Sequence, residues 1–210
     1  MKSLKKKVLI FDLDGVLIDS KINMEQSWSK VQQNHSLKHI KFEEYFKNIG
    51  RPFNNILKLI GVKKDYKKIK TTYKKESMKQ IRRIVYFPKV IKIIKELKRK
   101  NFSLNIVTSK DIKRTKKFIK DINKYFTYIE CNNDKIKGKP HPNQINLIIS
   151  KLNVRKSECV YIGDTLIDYR TAKNSKIDFI FAQWGYGINY NYKYKCKDIE
   201  ELFKKIKIIS

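Results

Sequence analysis

The sequence predicts an α/β fold, a doubly wound and mostly parallel sheet carrying a small helical insertion. Three observations point to it. Val8–Phe11 is a run of large apolar residues of the length of one buried strand, and it runs into Asp12, Asp14 and Gly15. From residue 85 onward, short apolar runs alternate with amphipathic stretches, the grammar of strand–helix–strand units whose strands pair in parallel. Between the two, residues 20–84 contain no strand-like run. The insertion therefore leaves the sheet straight after the first strand and returns near residue 85. The expected division is a core of residues 1–18 and 85–210 with a helical insertion at 19–84.

The elements follow in order. Residues 20–36 are amphipathic, with Ile22, Trp28 and Val31 as inward positions. Phe42, Tyr45, Phe46 and Ile49 fall on one helix face and read as core. Pro52 opens the next helix, with Phe53, Ile56, Leu57 and Ile60 on one side and Gly61 ending it. Residues 66–84 are helical but weakly patterned. Pro88 then begins a helix to Lys98, followed by a strand at 103–107, a helix at 112–122 and a strand at 127–131. A helix at 143–152, a strand at 159–162, a helix at 167–173 and a strand at 179–182 come next, and a helix at 197–206 closes the chain.

The first strand delivers its chemistry at its C-terminal end, where open α/β sheets bind ligands. Side chains two apart on an extended chain point the same way, so Asp12 and Asp14 together offer a hard-cation site with a nucleophile or acid to spare. The alternative is an ordinary Asx-type turn. Thr108 ends the strand SLNIVT, where a hydroxyl and loop N–H groups suit a phosphate. It serves equally well as a cap for the helix that Asp111 begins, and Ser109 is the less favoured alternative for the same role. In KGKPHP, Gly138 and Pro140 hold Lys139 in a rigid loop, unlike the other lysines. In YIGDTLIDYR, Asp164 and Asp168 are four apart and share a helix face.

These segments, in this order, resemble the four motifs of the haloacid-dehalogenase-like superfamily: DLDGVL at 12–17, Thr108, the KPHP form at Lys139, and GDTLID at 163–168. The fuller string VLIFDLDGVLIDS, and Trp184-Gly185-Tyr186-Gly187, look most like the phosphoglycolate phosphatase and β-phosphoglucomutase subgroup. The resemblance implies a Rossmann-like core with an α-helical cap between the first and second motifs. It implies that Asp12 is the nucleophile, forming an aspartyl phosphate, and that Asp14 is the general acid and base. Mg²⁺ would be held by the Asp12 side chain, the Asp14 main-chain carbonyl and Asp164. Thr108 and Lys139 would bind the phosphate, and Asp168 would orient Lys139 or a metal-bound water. Arg51, in the turn IGRPF of the cap, is the residue expected to read the substrate, because its planar fork suits an anion. Asn174 and Ser175 depart from the Ala-Gly pair common after the fourth motif, which bears on how that helix ends.

Composition narrows the classes. No run approaches the ~18 apolar residues of a membrane span, and the basic start MKSLKKK is followed by an apolar stretch broken at once by Asp12, unlike a signal peptide. Cys131, Cys159 and Cys196 are odd in number and scattered, which suggests a reducing, cytoplasmic setting without a cysteine metal cluster. The net charge of +29 invites a nucleic-acid or other polyanion partner. Only seven of the 49 basic residues are arginine, however, and alanine occurs only at 172 and 182, the mark of AT-rich coding. The lysines read as solvated faces that attract anionic substrates, not as a specific nucleic-acid site. The expected function is a Mg²⁺-dependent phosphatase of a small phosphorylated metabolite. A sugar phosphomutase on the same motifs is the first alternative, and a polyanion-binding protein is the alternative of another class.

Overall fold

The structure, a computed structural model, describes residues 6–133 and 136–210. The basic start at 1–5, with the beginning of the expected core segment, lies outside the described residues. In chain order the elements are β1 (Val8–Phe11), β2 (Ile18–Asp19), α1 (Lys21–Asn34), α2 (Phe42–Phe46), α3 (Phe53–Leu59), α4 (Tyr66–Lys79) and β3 (Val85–Tyr86). They continue as α5 (Val90–Arg99), β4 (Ser103–Thr108), α6 (Ile112–Phe118), β5 (Tyr128–Cys131), α7 (Asn143–Leu152) and β6 (Cys159–Gly163). The last four are α8 (Leu166–Ser175), β7 (Asp178–Ala182), β8 (Lys195–Cys196) and α9 (Leu202–Ile209).

The main sheet has six strands in the order β5-β4-β1-β6-β7-β8, and each neighbouring pair is parallel. Strand β1 is central, and all four of its residues are buried. Its two faces feed two cores, as a period of two requires. Leu9 and Phe11 pack with Ile94, Leu104 and Ile162 on one side, whereas Val8 and Ile10 pack with Val107, Ile148 and Tyr161 on the other. Continuous apolar runs of this kind belong to strands covered on both faces.

Helices α1–α4 gather around a third core that includes Trp28, Tyr45, Leu57 and Tyr73. Trp28 stacks on Tyr45 at 4.8 Å between ring centroids, and of the predicted stripe Tyr45 is buried in this core while Phe42, Phe46 and Ile49 pack half-buried against it. The chain crosses into and out of this helical segment through β2 and β3, which pair antiparallel with Ile18 opposite Tyr86 and Asp19 opposite Val85.

The structure differs from the sequence reading at several places. Ile22 is 52% exposed, and the inward face of α1 carries Asn23 and Ser27 instead. Polar residues sit inside there because they are paired: Asn23 Nδ2 donates to Ser77 O and Gln80 O, and Ser77 Oγ donates to Asn23 Oδ1. The helix begun at Ile112 ends at Phe118, not 122, and α4 ends at Lys79. Strand β8 and the β2–β3 ribbon were not foreseen, being two residues per strand. Helix α8 closes without glycine. Lys176 takes the left-handed conformation (φ 57°), and its N–H bonds back to the last turn, so Asn174 and Ser175 do not prevent a normal end. Among the described residues, no helix is long and apolar enough to cross a membrane.

Candidate active site

Strands β1, β4 and β6 are adjacent and parallel, so their C-terminal ends converge. Asp12 follows β1, Thr108 ends β4, and Asp164 follows β6. The Asp12 N–H donates to Ile162 O at 2.8 Å, tying the first loop to the strand that leads to Asp164. Two glycines make room for this. Gly15 has φ +85°, and a Cβ there would lie 2.1 Å from Asp164 Oδ2. A Cβ on Gly185 would lie 2.3 Å from Asp164 Cβ and 2.4 Å from Gly15 O. Gly185→Ala is therefore expected to push the loop away from Asp164, costing about 1–3 kcal/mol of stability by overpacking. A thermal melt indistinguishable from wild type would refute this reading of the loop.

Asp12, Lys139, Asp164 and Asp168 are all buried. Lys139 Nζ donates to Asp12 Oδ1 and to Asp168 Oδ1, both at 2.7 Å. One carboxylate oxygen from each of Asp12, Asp164 and Asp168 lies within 4.8 Å of the others. Asp168 is fully engaged. Its Oδ1 also accepts from Tyr161 Oη at 3.0 Å, and its Oδ2 accepts from the Thr165 N–H at 3.0 Å and Thr165 Oγ1 at 2.6 Å. Asp164 is not. Its Oδ2 accepts from the Tyr186 N–H at 2.7 Å, but its buried Oδ1 has no hydrogen-bond partner among the described residues.

The electrostatics follow from burial. Loss of solvation and the Asp168 charge push the Asp12 carboxyl above its ordinary range, and Lys139 only partly offsets them. Asp164 is driven well above that range by burial, Asp168 and Asp12. For Lys139, burial opposes the charge, yet Asp12 and Asp168 outweigh it and hold the ammonium above its usual pKa. One lysine cannot balance three ionised carboxylates, which is why Asp12 and Asp164 hold their protons to higher pH.

Asp14 points elsewhere. Its Oδ1 accepts a short hydrogen bond from Ser20 Oγ, and Lys110 Nζ lies 3.2 Å from its Oδ2. Its side chain is thus outside the three-carboxylate group. Thr108 is buried, and its Oγ1 accepts from the Lys110 N–H at 3.2 Å. Asp111, not Thr108, caps α6, accepting from the Arg114 N–H at 3.1 Å. Arg51 is half-buried, and its Nη1 donates to Asn48 O at 3.4 Å. Asp12, Asp14, Arg51 and Thr108 line one cavity of about 60 Å³ between the helical segment and the sheet.

Three contributors escaped the sequence reading. Lys110 is a buried lysine in a lysine-rich chain, so nothing distinguished it. Thr165 stands three residues before Asp168, a capping-box spacing that was available as a signal. Tyr186 lies in the W-G-x-G segment already singled out, but its contacts were not readable. Besides its N–H bond to Asp164, its hydroxyl donates to Asp19 Oδ1 at 2.8 Å and accepts from the Ser20 N–H at 2.7 Å. Its ring meets Phe46 at 5.3 Å. One residue thereby joins the carboxylate cluster to the chain crossing at 19–20.

A parallel sheet with buried carboxylates and a lysine at its C-terminal pole, beneath an inserted helical segment, defines a class of hydrolytic enzymes. The profile of haloacid dehalogenase-like hydrolases matches residues 9–182, and the chain belongs to that family. It is 25% identical over 205 residues to a pyrophosphatase PpaX from Oceanobacillus iheyensis, covering 93% of this chain and 94% of that one. It is 28% identical over 194 residues to a phosphoglycolate phosphatase from Aquifex aeolicus, covering 86% of each. Among solved structures, a hydrolase from Pseudomonas syringae superposes with a TM-score of 0.86 at 20% identity, covering 98% of this chain and 100% of that one. A haloacid dehalogenase-like family protein from Streptococcus pneumoniae gives 0.83 at 21% identity, covering 96% and 99%. At these identities the structural likeness speaks for the fold.

Proposed function

We propose that the chain is a Mg²⁺-dependent phosphatase of a small phosphorylated metabolite, working through an aspartyl phosphate on Asp12. The observation that carries this is the pairing of a Lys139-held Asp12 with an Asp164 whose buried Oδ1 lacks a hydrogen-bond partner among the described residues. Buried carboxylate oxygens do not stay unpaired without a reason. Oxygen-only donors that outnumber the one lysine among them fit a hard cation such as Mg²⁺. Asp12, Asp164 and the Asp14 main-chain carbonyl would hold it, and when bound it would neutralise charge on the phosphoryl oxygens.

The chain's own residues do the rest. Lys139 fixes the rotation of the Asp12 carboxylate through Oδ1. Asp12 attacks phosphorus, the Asp12–phosphorus bond forms, and the bond to the leaving oxygen breaks as Asp14 gives it a proton. Asp14 then takes a proton from the water that releases phosphate and restores Asp12. Ser20 and Lys110 hold Asp14 by its two oxygens. Thr108 and Lys139 bind phosphoryl oxygens, Asp168 positions Lys139, and residues 19–84 act as a cap from which Arg51 meets the substrate. The relatives named pyrophosphatase and phosphoglycolate phosphatase support a small, strongly anionic substrate. The three free cysteines fit a reducing cytoplasm.

Phosphate release from phosphoglycolate, pyrophosphate and hexose phosphates tests the reading. Release is expected with Mg²⁺ and lost with EDTA. No release from any of them would overturn the phosphatase, and phosphoryl transfer between sugar phosphates would replace it with a mutase. A melt gives a second readout. Asp12 and Asp164 have raised pKa values in the fold, so they favour the folded state while protonated and disfavour it as pH rises. A cation takes the proton's place. Mg²⁺ is therefore expected to raise the melting temperature more at pH 8 than at pH 5, and equal shifts would count against a site at these carboxylates.

A further inference from the structure

We propose that Arg114 is a second anion-binding point in this cavity, so that the preferred substrate carries a carboxylate or another phosphate beyond the phosphoryl group transferred. The inference rests on the phosphatase reading and narrows its substrate class. Arg114, on α6, stands in the wall between two cavities. The first is the one lined by Asp12, Asp14 and Thr108, and the second, about 30 Å³, is lined by Lys74, Asp111 and Asn132. Phe53, Tyr73, Ser109 and Arg114 line both.

The residue is only 6% exposed. Its Nε donates to Asp111 Oδ2 at 2.7 Å, and its Cζ lies 5.6 Å from the centroid of the Tyr73 ring. Its Nη1 is buried without a hydrogen-bond partner among the described residues. A guanidinium N–H removed from water is normally paired, so this donor is set for an oxyanion that enters the cavity. Asp111 does not cancel the charge, because Lys74 Nζ lies 3.4 Å from the same Oδ2. Two cations share one carboxylate, and Lys110 nearby is already matched to Asp14. The phosphoryl pole has its own cation in Lys139. A planar fork locked by Asp111 and Tyr73 favours a carboxylate or phosphate over a sugar hydroxyl. The two cavities together hold a handful of water-sized groups, which suits a short molecule with an anion at each end.

Calorimetry with non-hydrolysable probes tests this on the full chain with Mg²⁺. Phosphonoacetate, which ends in a carboxylate, is expected to bind about 10- to 100-fold more tightly than ethylphosphonate, which does not. Arg114→Gln should abolish that preference while leaving ethylphosphonate binding within about threefold, and Arg114→Lys should retain part of it. Equal affinities in the wild type, no binding of either probe, or an undiminished preference in either folded variant would overturn the proposal. Hydrolysis of p-nitrophenyl phosphate by the wild type separates the two readings. Turnover without a phosphonoacetate preference leaves the phosphatase standing and removes the anion site. A preference without turnover of any phosphoester does the reverse.

Discussion

Asp12→Asn is expected to cut phosphate release by about 10⁴-fold or more while leaving the protein folded. An amide is a far poorer nucleophile than a carboxylate. Asp14, the neighbouring acid, is held by Ser20 and Lys110 away from the carboxylate cluster. The substitution keeps the volume and an oxygen that still accepts from Lys139. It leaves Lys139 paired with Asp168, so no buried cation is orphaned. It also removes one of three mutually repelling carboxylates. In the absence of Mg²⁺ the variant should therefore melt at or above the wild-type temperature. A phosphate-release assay and a thermal melt check both halves. Near-wild-type hydrolysis would remove Asp12 as nucleophile, and a lowered melt would mean that the cluster needs its third charge.

What the sequence made legible was the part written in buried runs and in rare residues. Val8–Phe11 and Cys159–Gly163 are apolar, fully buried strands, and their ends carry Asp12 and Asp164. Glycine is scarce in this chain, so Gly15 and Gly185 mark places where the backbone must approach Asp164. What stayed hidden depended on tertiary pairing. Ile22 looked inward by pattern, but the Asn23–Ser77 network made polar residues the better contact with α4. Lys110 carries no local signal among so many lysines, and its distinction is burial beside Asp14. Arg114 likewise reads as one more helix cation until the two cavities are seen to meet at it. The lysine-rich composition thus concealed Lys110, whereas the KPHP setting marked Lys139 and the scarcity of glycine exposed the carboxylates.

Lys139→Ala is expected to cost about 3–5 kcal/mol of stability at pH 8 without added metal, the loss typical of breaking a buried ion pair from one side. Lys139 is the cation shared by Asp12 and Asp168, and alanine would remove that cation from both buried carboxylates, leaving Asp168 only its neutral donors Tyr161 and Thr165. The deficit has a pH signature. Asp12 and Asp164 already hold their protons above the usual carboxylate range. As pH falls from 8 toward 5 they neutralise, the missing ammonium matters less, and the gap between variant and wild type should narrow. Lys139→Met separates charge from packing, because it fills the space without the ammonium. It should share the pH 8 deficit if charge is the cause, and escape most of it if the cavity is. Turnover should fall in both variants by about 10²- to 10³-fold, as for the loss of one preorganised electrostatic contact to the transferring group. Unchanged turnover would move the neutralising role to Lys110, the other buried lysine beside Asp12 and Asp14. The double variant would then be the one to lose activity.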